Sequence, residues 1–82
     1  MRLAITSRAE KDISKLSSDY QQKVDAALEK YLASPKTLDL KKLKGQKSQW
    51  RIRVGVYRII LLIAREEDTT YVLRVRHRRE AY

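Results

Sequence analysis

The sequence predicts an α+β fold: a small antiparallel sheet in β-α-α-β-β-β order, with a two-helix hairpin packed on one face. Three observations carry this. Apolar residues recur at three- and four-residue steps from Ala9 to Leu32, the spacing of helices that bury one stripe. From Trp50 onward the apolar period falls to two, as in strands with one wet face. At 82 residues with two glycines and one proline, the chain is long enough for one core, so 1–82 reads as a single domain.

The opening segment RLAIT alternates, with Leu3 and Ile5 on one side, and reads as a strand. Ser7 is then placed to cap a helix, with Glu10 at capping-box spacing. Ala9, Ile13 and Leu16 form its apolar stripe. Ser18 or Asp19 caps a second helix, whose stripe is Tyr20, Val24, Ala27, Leu28, Tyr31 and Leu32, and Pro35 ends it. With almost no linker between them, the helices form an antiparallel hairpin. Residues 36–49 read as a connector anchored by Leu38, Leu40 and Leu43 and turned at Gly45. Trp50, Ile52 and Val54 alternate with Arg51 and Arg53 in a second strand. Gly55-Val56 makes a tight turn into Tyr57–Ala64, apolar on both faces apart from Arg58. Glu66-Glu67-Asp68 is an acidic turn. In the last strand Tyr71, Leu73 and Val75 are assigned inward, and Val72, Arg74 and Arg76 outward.

Composition narrows the function. With no cysteine and a single histidine, neither a disulfide nor a thiolate or histidine-rich metal site is expected, and no cofactor is implied. MRLAITSRAEKD lacks a long apolar stretch and the run Ile59–Ala64 is too short to span a bilayer, so a cytoplasmic location without membrane contact is expected. Net charge is +9 and lies mostly in the second half, first as lysine, then as arginine. Such asymmetry favours nucleic acid or an acidic protein as partner.

The arginines are patterned. Arg51 and Arg53 project from one face of one strand, about 7 Å apart. Arg58 follows just beyond the turn, and His77, Arg78 and Tyr82 arrive from the end of the last strand. A guanidinium grips phosphate bidentately and stays charged at any working pH. Several of them on one surface fit a phosphodiester, whose transition state gains charge on oxygen. A tyrosine or histidine among them can transfer a proton or stack on a base. Trp50, Tyr57, Tyr20 and Tyr31 read as packing. Arg74 and Arg76 suit the protection of a sheet edge equally well.

The strings QWRIRVGVYRIILLI and VLRVRHRREAY resemble the RelE/ParE toxin superfamily, closest to RelE-type messenger-RNA interferases of bacterial type II toxin–antitoxin systems. The likeness runs through the whole chain, from the opening strand and helical pair through Leu43-Lys44-Gly45 to the HRREAY ending. It implies a ribosome-dependent endoribonuclease that cuts messenger RNA in the ribosomal A site by attack of a ribose 2′-hydroxyl on the adjacent phosphate, without a metal. It also implies a cognate acidic, RelB-like antitoxin, ribosome and messenger RNA as partners, and operator DNA as a target of the toxin–antitoxin complex. By position, the site residues carried over are Arg51, Arg53, Arg58, His77, Arg78 and Tyr82. Some relatives have lysines where this chain has Arg51 and Arg53. Arginine is a poor base, so these two are cast as phosphate clamps. Proton transfer is left to Tyr82, as base or base-stacking residue, and His77, as proton donor or positioning group. Surrounding cations favour phenolate and neutral imidazole. The alternatives are a ParE-like inhibitor that binds DNA gyrase without nuclease chemistry, and an inactive nucleic-acid-binding relative.

Overall fold

A computed structural model describes residues 1–43, 45 and 48–79. The chain runs β1 (Arg2–Ile5), α1 (Ser7–Ser14), α2 (Ser18–Ala33), β2 (Leu40–Lys42), β3 (Gln49–Val54), β4 (Tyr57–Ala64) and β5 (Thr69–His77). Short 3-10 turns at Pro35–Thr37 and Arg65–Glu67 join α2 to β2 and β4 to β5. The sheet order is β1-β5-β4-β3-β2. Three of its four pairings are antiparallel, and β1 lies parallel to β5, with Arg2 opposite Thr69. The α+β class and the element order agree with the sequence reading, and the parallel pairing of β1 refines it.

Both helices are capped one residue earlier than the sequence suggested. Thr6, not Ser7, caps α1: its Oγ1 accepts from Ala9 N–H (3.2 Å) and donates to the Val72 carbonyl (2.9 Å). The same hydroxyl therefore ties the helix start to β5. Ser17, not Ser18 or Asp19, caps α2, accepting from Tyr20 N–H at 3.3 Å. In each case two adjacent residues are competent caps, and the one with extended backbone takes the role.

The core lies between the sheet and the helices. Ala9, Val24, Ala27, Leu28 and Tyr31 meet Ile52, Ile59, Leu61, Ile63, Val72 and Val75. The larger aliphatic side chains among them each contribute about 1.5–3 kcal/mol by full burial. Tyr31 and Leu28 come from the stripe that the 3.6-residue period marked out. Thr70 is also fully buried, and its hydroxyl is satisfied by the Tyr31 hydroxyl at 2.8 Å.

In β5 the inward set differs from the one expected. Thr70 and Val72 are fully buried with Val75, whereas Tyr71 and Leu73 are half-exposed. Tyr71 instead directs its hydroxyl to the Glu67 carboxylate. A register shift opposite Ile60 and Leu61 is the cause: Ile60 faces Arg74 while Leu61 faces Val72, so Leu73 is an extra residue. A bulge of this kind inverts the period-two phase. Val75, Arg74 and Arg76, beyond it, point as the alternation predicted. A further departure is β2. The stretch read as a connector pairs Leu40 with Ile52 and Lys42 with Trp50, and only its anchors Leu38 and Leu40 were legible.

Asp12 fastens α1 to the edge of β5 beyond the end of β1. Its carboxylate accepts from Arg74 Nε (2.8 Å), from the Arg74 Nη2 amine (3.2 Å) and from Val75 N–H (3.0 Å). Burial alone raises the pKa of this group. The Arg74 and Val75 hydrogen bonds and the charges of Arg74 and Arg76 outweigh it, so the carboxyl sits below its usual value. A carboxylate held low in the folded state contributes stability above its unfolded pKa and loses it as pH falls through the folded one. Asp12→Asn is thus expected to cost about 1–3 kcal/mol near neutrality. The gap from the parent should shrink below about pH 4, as urea unfolding curves across pH would show.

Candidate functional site on the open face of the sheet

The helices cover one face, and the other carries the arginines. Register fixes their order. Arg53 on β3 stands directly opposite Arg58 on β4, and Arg58 stands opposite Arg76 on β5. Residues opposite one another in an antiparallel ladder share a face, so three guanidinium side chains form a row across the three central strands. The row lies at the β3–β4 hairpin end. Two residue pairs further along the strands, past the inward Ile52, Ile59 and Val75, Arg51, Ile60 and Arg74 make a second row. Arg78 continues past β5 with its N–H on the Val56 carbonyl (2.7 Å), and is exposed at the hairpin tip.

The predicted site residues divide. Arg53, Arg58 and Arg78 come to one end of the open face. Arg51 shares that face but is only 6% exposed. Its guanidinium reaches the Asp39 carbonyl (3.4 Å) and carboxylate (3.5 Å), and Arg53 Nε lies 3.7 Å from the same carboxylate. Arg51 is therefore a buttress that holds Asp39 beside Arg53, and it does not present itself to a ligand. His77 does not join the arginines. It pairs with Tyr57 on the helix side of the sheet, rings edge-on at 5.5 Å, and Tyr57 in turn packs edge-on against Tyr20 of α2 at 4.8 Å. Its Nδ1 accepts from Arg79 N–H (3.2 Å), which shapes the turn leaving β5. Tyr82, with Lys44 and Lys47, lies outside the described residues.

Gly55 brings the hairpin tip against α2. With φ of +58° it opens a two-residue turn of the II′ pattern. A Cβ there would come 2.6 Å from the Tyr20 hydroxyl. Gly55→Ala is expected to destabilise the protein by about 1–2 kcal/mol through the left-handed backbone alone. Chemical denaturation would give the cost, and the same variant should weaken any activity that depends on the level at which Arg53 and Arg58 meet.

Two residues of this site escaped sequence reading. Asp39 was hidden in the supposed connector, although Leu38-Asp39-Leu40-Lys41 alternates as a strand does. Arg76 was weighed as an edge guard, but it lies in the row with Arg53 and Arg58. Its Nε is buried without a hydrogen-bond partner.

Comparison with known proteins gives the arrangement a lineage. The family model described as ParE toxin of type II toxin-antitoxin system, parDE, matches residues 3–82. A search of curated protein sequences found no match. Among solved structures, the chain is similar to that of a RelB-RelE antitoxin-toxin complex from Methanococcus jannaschii, at 27% identity and a TM-score of 0.80, covering 96% of this chain and 98% of that one. It is similar to the isolated Escherichia coli RelE toxin at 25% identity and a TM-score of 0.78, covering 93% and 82%. The E. coli RelBE toxin-antitoxin complex matches at 26% identity and a TM-score of 0.77, covering 90% and 92%. With its family model spanning nearly the full length and its fold shared with RelE toxins, the chain belongs to the ParE toxin family of type II toxin–antitoxin systems, within the RelE/ParE superfamily.

Proposed function

We propose that this toxin is a ribosome-dependent endoribonuclease that cuts messenger RNA in the ribosomal A site. The observation that carries the reading is the convergence of Arg53 and Arg58, on opposed strands, at the hairpin end where Arg78 also arrives. A 2′-hydroxyl attacks the adjacent phosphorus, the P–O5′ bond breaks, the departing O5′ takes a proton from solvent water, and the products are a 2′,3′-cyclic phosphate and a 5′-hydroxyl. Negative charge grows on the non-bridging oxygens as the new bond forms. Guanidinium groups fixed beforehand at that position stabilise the transition state more than the ground state. Tyr82 takes the 2′-hydroxyl proton in this scheme. His77, turned to the helix side, orders the end of β5 and so positions Arg78 at the hairpin tip.

The partner chemistry comes from charge. A net charge of +9 calls for an acidic antitoxin, and the solved complexes of M. jannaschii and E. coli relatives pair toxin with antitoxin. A groove of about 590 Å³ beside α2 and β3 is lined by apolar side chains such as Ala27, Leu38 and Val54 and by the cations Lys23, Lys30 and Arg53, with Glu29 its one acidic residue among the described residues. An apolar segment flanked by carboxylates would fill it. Ribosome and messenger RNA are the remaining partners of this reading, with operator DNA a target of the toxin–antitoxin complex.

The matched family description names ParE, which favours one second reading: inhibition of DNA gyrase by binding. Expression of the toxin followed by primer extension separates the two. Cuts within codons of translated messages, absent from untranslated ones, would support the ribonuclease. Intact messages with gyrase-linked DNA breaks would support the inhibitor.

A further inference from the structure

We propose that Arg76 makes a second phosphate subsite beside the scissile one, so that Arg53, Arg58 and Arg76 together grip two successive phosphates of one RNA strand crossing β3, β4 and β5. This rests on the ribonuclease reading above for its ligand and goes beyond it in the residue and the path. The neighbouring arginines have protein partners: Arg51 and Arg53 share Asp39, and Arg74 is held by Asp12. Arg76 has no ion pair among the described residues, and its Nε is buried without a hydrogen-bond partner. That burial fixes the stem and leaves the two terminal amines to act as the ligand-binding end.

Guarding a sheet edge does not account for Arg76. On the side of β5 beyond β1, Asp12 already occupies the Val75 N–H, and on the other side Arg76 is paired with Arg58. Like charges placed directly opposite one another destabilise a sheet, Asp39 answers the row at its Arg53 end, and a bound anion at the Arg76 end would offset the repulsion there. Adjacent strands are about 4.8 Å apart, which sets the backbones of Arg53 and Arg76 about 10 Å from each other. One phosphate is satisfied by a bidentate guanidinium and a neighbour. The third guanidinium, one strand further on, meets the next phosphate along the chain.

The test uses the full-length toxin and a short single-stranded RNA, 2′-O-methylated throughout so that it cannot be cut. Binding is measured against salt, and cleavage of a natural message is followed in a translating extract. Each phosphate contact adds about 0.7 to the slope of log K against log salt for a single strand. Arg76→Gln should lower that slope by about this amount on every RNA sequence, and Arg76→Lys should keep the slope with weaker binding. Arg65→Gln, the same charge change in the turn between β4 and β5, should leave the slope as it was. The bound RNA should also raise the melting temperature of the parent more than that of Arg76→Gln, which checks that the variant is folded.

An unchanged slope in Arg76→Gln, with parental cleavage of translated messages, would overturn the subsite and leave the ribonuclease reading standing. A reduced slope in a toxin that leaves translated messages intact would uphold the subsite and sink the ribonuclease. If Arg76→Gln weakens only the binding of an acidic peptide and not of RNA, the row serves a protein and the proposal fails.

Discussion

On the ribonuclease reading, Arg58→Ala is expected to lower the rate of message cleavage by about 10²–10³-fold, the usual cost of removing one preorganised group that stabilises transition-state charge. Arg58 is the middle of the row, on β4, with Arg53 opposite it on one side and Arg76 on the other. Its loss should leave the fold intact, because it opens no cavity in the core formed by Ile59 and Leu61 on the opposite face. Arg58→Lys keeps the charge but not the planar fork, and should fall between the two. Cleavage is read by primer extension in a translating extract, with a urea melt as the fold control. A variant that melts like the parent yet cuts at the parental rate would remove Arg58 from the machinery.

Tyr82→Phe is expected to reduce cleavage by about 10²–10⁴-fold, the range of general acid–base assistance. The reasoning is by chemistry and elimination among candidates. Arginine holds its proton at any working pH, and His77 is committed to Tyr57 and to the Arg79 N–H on the helix side. The phenol is then the group left to accept a proton. His77→Ala should slow cleavage far less, through a loosened turn. A histidine variant that loses cleavage, beside a phenylalanine variant that cuts at the parental rate, would exchange the two roles.

Much of this architecture could be read in the residues beforehand, and what could not has identifiable physical origins. The stripes of α1 and α2 were clear, apart from Leu32, which is exposed at the end of α2, because a 3.6-residue period over sixteen residues of α2 leaves few alternatives. The Gly55 turn was clear because only glycine adopts that backbone at low cost. The three-residue strand β2 was too short to show a period. The bulge at Leu73 is invisible to alternation, since an extra residue shifts the phase without changing composition. That single shift separates the correct placement of Arg74, Arg76 and Val75 from the inverted placement of Tyr71 and Val72. For the site, the arginine spacing on β3 located the face, yet spacing could not reveal that Arg51 is spent on Asp39. The alternation that set Arg76 outward also turns His77, one residue on, to the helix side, and it was the family likeness that grouped His77 with the arginines.

The placement of β1 beside β5, with Arg2 opposite Thr69, bears on the order in which the fold closes. During synthesis β1 leaves the ribosomal tunnel long before β5, and it has no docking partner until that strand has been made. Contacts this distant along the chain form slowly and late. Until then the hydrophobic side of the sheet is incomplete, and Thr6 cannot anchor the helix start to Val72. The sheet and its helix-covered face are therefore closed only once β5 has been made and has taken β1 beside it.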